Sequence, residues 1–140
     1  MTYLEVVNVL SAATDVVAPN GFFIHGKRPD ASLFSIQTNF PIIWALPFRE
    51  NYNLQTGKIE RQLTVCFFLQ DSTNNTLAQR QALIQEAWDF QHDFMEYLDN
   101  YMPKAFNISD IIATPEYAQL AGTVSGYSVS FKFQSKLVSC

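Results

Sequence analysis

From Ile59 to Leu69 the side chains alternate, with Leu63, Val65, Phe67 and Leu69 on one face and Gln62, Thr64, Cys66 and Phe68 on the other. A period of two sustained over that length is the signature of a strand, so this chain must build a sheet. Residues 123–136 repeat the pattern. Val124, Tyr127, Val129, Phe131 and Phe133 point mostly inward, while Ser128, Ser130, Lys132 and Gln134 point outward. That is the pattern of an antiparallel strand with one wet face.

The segment between these strands has a helical period. Asp71-Ser72-Thr73-Asn74-Asn75 makes a turn, and Thr76 with Gln79 forms a capping-box pair. From Leu77 to Met102 a helix of roughly 25 residues is predicted, ended by Pro103. Its apolar positions form two stripes: Leu77, Ile84, Trp88, Met95, Leu98, Met102, and beside them Leu83, Ala87, Phe90, Phe94, Tyr97, Tyr101. Together they make a wide face, one side for the sheet and the other for the first helix or another subunit.

The first half of the chain adds a second helix. Thr2 and Glu5 match a capping box, and Tyr3, Val6, Val7, Leu10, Ala13 and Val17 recur at helical spacing until Pro19-Asn20-Gly21. Residues 2–17 are therefore predicted helical. Phe22 to His25 reads as a short strand and 27–39 as a loop. The apolar run from Pro41 to Phe48 fits a strand covered on both faces. Residues 49–58 read as an exposed excursion between two strands. Later, Phe106 to Ala113 is a predicted strand with an irregularity near Asp110, and Pro115-Glu116-Tyr117 with Gly122 is its connection to the last strand. Gly21 and Gly122 suit turns, and Gly126 suits a bulge or a close approach within a strand.

The expected fold is α+β in a single domain over 1–140, in the order α-β-β-β-α-β-β. An antiparallel sheet of four or five strands carries both helices on one face. Phe68, Cys66 and part of Ile42 to Leu46 must then emerge on the other face. They need cover from loops or from another chain.

Composition narrows the function classes. Apolar residues make up 48% and aromatics 14%, which excludes a disordered chain. Charged residues reach only 16%, below the ~25% usual for soluble domains. Either part of the surface is buried in permanent contacts or it is simply polar. A net charge of −4, with Lys27-Arg28 as the only tight basic pair, argues against sequence-specific nucleic-acid binding. No apolar run approaches the ~20 residues of a membrane span, and no secretory signal is visible. Cys66 reads as a buried small hydrophobe and Cys140 as a free thiol, in keeping with folding in a reducing cytoplasm.

A search for chemistry finds no nucleophile–base pairing, no phosphate-binding glycine loop and no cofactor motif, so no enzyme is expected. His25 reads as structural. His92, with Asp89 before it and Glu96 after it, shares a helix face on which a metal site is geometrically possible. A solvated acidic face that also holds Glu86, Asp93 and Asp99 accounts for these residues better.

The layout from Gln62 to Leu69, through the polar turn and the helix from Leu77, to Gly122-Thr123-Val124-Ser125-Gly126 and the strand Tyr127 to Phe133, resembles the tail-terminator and head-tail joining proteins of tailed phages. The resemblance covers nearly the whole chain. It implies a subunit of a hexameric or dodecameric ring, with itself and neighbouring portal, neck or tail proteins as partners, folded in the host cytoplasm and resident in the virion. Residues 49–58 would be an arm reaching a neighbour or the lumen. The implied contact residues are Arg49, Glu50, Asn51, Tyr52, Asn53 and Leu54 on that arm, with Phe68 and the helix residues Phe90, Phe94 and Tyr97. The competing expectation is a small ligand- or peptide-binding module that uses the open sheet face.

Overall fold

A computed structural model describes residues 1–26, 40–102, 105–118 and 124–136. The expectations placed on the 27–39 loop, on Lys27-Arg28, Pro103 and Gly122, and on Cys140 lie outside the described residues.

Helix α1 spans Tyr3–Val17 and begins at Thr2, whose Oγ1 accepts the Glu5 amide at 3.2 Å. Only this half of the expected capping box is present. Val6, Val9, Leu10, Ala13 and Thr14 form its buried stripe. Helix α2 spans Leu77–Asp99 and starts with a complete capping box: Gln79 donates its amide to Thr76 Oγ1, and Gln79 Oε1 accepts from the Thr76 amide. Two orphan donors at the helix start are thereby satisfied.

Six strands follow the order of the chain: β1 (Phe22–His25), β2 (Ile42–Ala45), β3 (Arg49–Asn53), β4 (Lys58–Gln70), β5 (Phe106–Ala118) and β6 (Val124–Lys136). They form one sheet in the order β1-β2-β4-β6-β5, with β3 also paired to β4. The fold is α+β as expected, with one strand more than the expected order. β4 and β6 pair antiparallel along their whole length, Lys58 opposite Lys136 and Gln70 opposite Val124. β2 and β3 share the other side of β4, one on each half.

The main core lies between one sheet face and the two helices. Leu63, Val65 and Phe67 of β4, with Val129, Phe131 and Phe133 of β6, meet Val6, Leu10 and Ala13 of α1 and Phe94, Met95 and Leu98 of α2. Phe67 and Phe94 contact edge to face at 5.1 Å, a geometry that adds aromatic attraction to burial. A smaller core of Ile42, Trp44, Cys66, Phe68 and Val124 occupies the opposite face, with Ile24, Phe40 and Leu46 packed against it.

Several expectations need correction. The 49–58 excursion is a β-hairpin. Its turn is closed by Asn53, whose Oδ1 accepts the amides of Gln55 and Thr56 at 3.1 Å each, and by Gly57 at φ +69°. β1 and β2 run parallel, so the sheet is mixed rather than wholly antiparallel. Pro115, Glu116 and Tyr117 are not a connection but part of the last stretch of β5, with Pro115 opposite Tyr127 and Glu116 opposite Gly126. An edge strand tolerates proline because its outward side needs no donor. The irregularity near Asp110 is a register shift between Ser109 and Ile112, with Asp110 at φ +53°. The helix stripes also overreach, because Leu77, Trp88 and Met102 are exposed while Gln91 is buried.

Candidate functional site

The hairpin is held rigidly at its base. Arg61 of β4 is fully buried. Its Nη1 donates to Ser135 Oγ at 2.9 Å and its Nη2 to the Met1 carbonyl at 2.6 Å. Glu50 of β3, opposite Arg61 in the ladder, places Oε1 3.6 Å from its Nε. The other oxygen of Glu50 accepts the Tyr52 hydroxyl at 2.6 Å. That bond, reinforced by the carboxylate charge, holds the Tyr52 phenol above its ordinary pKa. The buried guanidinium thus ties β4 to Ser135 of β6 and to the N-terminus through directed donors, and to Glu50 of β3 by charge, without a hydrogen bond from its Nε.

Beyond this anchor the hairpin is exposed. Tyr52 is 56% accessible and Leu54 83%, with Arg49, Asn51, Asn53 and Lys58 exposed around them. The expected contact residues Arg49, Asn51, Tyr52, Asn53 and Leu54 are therefore all exposed, with Arg49, Asn51 and Asn53 on one face of the strand and Tyr52 on the other. Glu50 belongs to the anchor.

The remaining expected contact residues do not join the hairpin. Phe94 is fully buried, because it is the α2 side chain that packs on Phe67. Phe68 is 4% exposed, because the smaller core of this same chain encloses it. Neither can meet a partner without unpacking a core, so both are withdrawn as contact residues. Phe90 and Tyr97 are half-buried against the main core and keep a free edge.

Two further surfaces escaped the sequence reading. A groove of about 620 Å³ lies between the last turn of α1, at Val16 and Val17, and the end of α2, at Asp93, Glu96, Tyr97, Tyr101 and Met102. Further along, β5 exposes Ile111, Ile112 and Tyr117. A depression of about 420 Å³ there is lined by Trp88, Tyr117 and Tyr127. Ile111 falls within the register shift, which is why strict alternation could not place it.

The chain matches no protein-family model and no curated protein.

Several titratable groups elsewhere are engaged structurally. Asp71 is buried, which by itself raises its pKa. Ser125, Asn75, the Ser72 amide and Arg80 all donate to it and together hold the carboxyl below its ordinary value. Burial pushes the Cys66 thiol up to about 11, so it is protonated at neutral pH and a poor nucleophile. His25 Nδ1 lies 2.9 Å from the Ala45 carbonyl, which can only accept. Its Nε2 is therefore the acceptor for the Tyr3 hydroxyl at 2.7 Å. On the open face Lys132 reaches Asp110 at 3.1 Å and Glu60 at 3.9 Å, and the bond to Asp110 leads in raising its pKa. Near the end of α2 the side chains that come together are His92, Asp93 and Glu96 rather than Asp89. All three are exposed, and Trp88 stacks on the His92 ring at 5.1 Å.

Proposed function

We propose that this chain is a structural subunit of a ring in the neck or at the tail end of a tailed phage, a head-tail connector or tail terminator. The observation that carries the reading is the placement of exposed apolar side chains on opposite lateral sides of one sheet. Tyr52 and Leu54 project on the β3 side of β4, and Ile111, Ile112 and Tyr117 lie on the β5 side. A protein that pairs through two different patches assembles head to tail, and such contacts close into rings when the rotation permits. Scattered apolar side chains on a monomer need no explanation, but two patches on opposed edges do. The low charged fraction of 16% fits a surface partly covered in an assembly.

On this reading the chain performs no chemistry, and its partners are copies of itself and neighbouring portal, neck or tail proteins. Among the described residues no helix is long and apolar enough to cross a membrane.

Native mass spectrometry and light scattering of the purified chain, followed by negative-stain imaging, test the proposal. Sixfold or twelvefold rings well above 15.9 kDa are the expected result. A persistent monomer that binds a small molecule or peptide on the open sheet face would replace it with the binding-module reading.

A further inference from the structure

The groove at the ends of the two helices has a specific electrostatic character. Both helices bring their C-terminal ends there, where unpaired carbonyls carry partial negative charge. Neither has a basic residue in its last turn to offset it. Asp93 and Glu96 add two carboxylates to the same wall. Tyr97 and Tyr101, edge to face at 5.8 Å, add ring faces that attract cations. The rim is apolar, with Val16 and Met102 largely exposed. A groove of this kind selects an occupant that presents an apolar side chain beside basic ones.

The 49–58 hairpin has that composition. Leu54 is the exposed apolar side chain of its turn, while Arg49, opposite Gln62 at the base, and Lys58, opposite Asn53 beside the turn, lie on one face of the hairpin. Asn53 and Gly57 lock the turn, so little conformational freedom is lost on docking. The hairpin does not line its own chain's groove, so the match is available between copies.

We propose that the 49–58 hairpin of one copy docks into the groove between the ends of α1 and α2 of the next. Leu54 at the turn fills it, and Arg49 and Lys58, which share the hairpin face opposite Tyr52, turn toward Asp93 and Glu96. The contact is heterologous, since the donor and acceptor surfaces differ. The inference rests on the ring reading and assigns one of its contacts, leaving the β5 patch for a further contact in the ring or with a neck or tail partner.

Charge exchange combined with site-specific cross-linking tests it. A benzophenone amino acid replacing the exposed Leu54 is irradiated in a mixture of ¹⁴N- and ¹⁵N-labelled full-length protein, and mass spectrometry maps the adducts. Mixed-isotope adducts within 93–102 are expected. The doublet Asp93→Lys/Glu96→Lys should weaken self-association at least tenfold, as should Arg49→Glu/Lys58→Glu. Mixing the two doublets should restore it, and added salt should weaken the wild-type contact. Neither doublet alters a buried side chain, so circular dichroism should show both folded. Oligomers that cross-link elsewhere and ignore both doublets would overturn the docking while leaving the ring reading standing. No self-association up to ~1 mM, a limit of about −4 kcal/mol, would also overturn it. The ring reading would then be judged separately on whether imaging with its neck or tail partners yields rings.

Discussion

Replacing Gly126 by alanine is the sharpest test of the packing described here. A Cβ at this position would lie 1.7 Å from the Phe67 carbonyl oxygen and 2.8 Å from its carbon, both main-chain atoms of β4. Real Cβ contacts do not fall below 3.0 Å, so β4 and β6 must separate locally by about 1.3 Å, the shortfall. Hydrogen bonds of ~2.9 Å would then stretch to ~4 Å, outside bonding range. Losing two or three of them at ~1 kcal/mol each, with some loosening of the core, costs ~3 kcal/mol. An unfolding entropy of ~2.1 cal/mol/K per residue converts this into a fall in Tm of ~10 °C for a chain of 140 residues. Thermal unfolding followed by circular dichroism measures the difference directly. Gly57→Ala is the control: its φ is +69° and nothing lies within 4 Å of the added carbon. Only the backbone penalty of ~1 kcal/mol applies there, or ~3 °C. If Gly126→Ala lowers Tm no more than Gly57→Ala does, the close approach of β4 and β6 at this point is wrong.

Asp71→Asn should destabilise the protein at neutral pH by ~2 kcal/mol, since hydrogen bonds to a carboxylate are lost or weakened. The folded pKa of Asp71 is depressed, so its contribution is complete above the unfolded value of ~3.9 and disappears as pH falls through the folded value. Urea unfolding at pH 7 and pH 3 should show the variant's deficit shrinking with acid, and a constant deficit would contradict the account. Glu50→Ala should cost ~2–3 kcal/mol, because it deprives the buried Arg61 of its nearby anion, whereas Arg61→Met should cost less. Equal losses in urea titrations would argue that Glu50 does not compensate Arg61. Phe94→Ala should cost ~3–5 kcal/mol through the cavity it leaves, and Leu54→Ala under ~0.5 kcal/mol. If Leu54→Ala proved the more damaging to monomer stability, the assignment of core and surface would be reversed.

The long elements were legible because their burial is one-sided. β4 and β6 each turn one face to the helices. Over Lys58–Thr64 and Ser128–Lys136 the other face is largely polar, so a period of two survives in the sequence, while Cys66, Phe68 and Val124 enter the smaller core. β3 left no such trace. Arg49, Asn51 and Asn53 face one side and Glu50 and Tyr52 the other, both largely wet, so Arg-Glu-Asn-Tyr-Asn looks like a loop. Its pairing depends on β4 and on the Asn53–Gly57 turn, whose asparagine and glycine were visible but not read as a hairpin closure. The parallel pairing of β1 and β2 depends on long-range topology that no local pattern encodes. Phe94 was misjudged as a contact residue because a helix with two apolar stripes does not reveal which faces its own sheet. The exposure of the hairpin is legible, since it follows directly from the polar composition of the segment. The groove drew residues from the ends of two helices far apart in sequence and could not be read from either alone.

The long pairing of β4 with β6 also has a kinetic consequence. Its registers join Lys58 to Lys136 and Gln70 to Val124, with the whole of α2 in the intervening chain. Closing such a loop consumes chain entropy before any ladder bond offsets it, and folds dominated by distant pairings reach their native state in milliseconds to seconds rather than microseconds. α2 can form early, since its capping box is local. The 49–58 hairpin is likewise local and can close on a microsecond scale. The central sheet must wait for β6, the last strand in the chain. During synthesis, β4 therefore emerges with its β6 side unsatisfied until β6 is made, and Leu63, Val65 and Phe67 remain open to wrong partners for that interval.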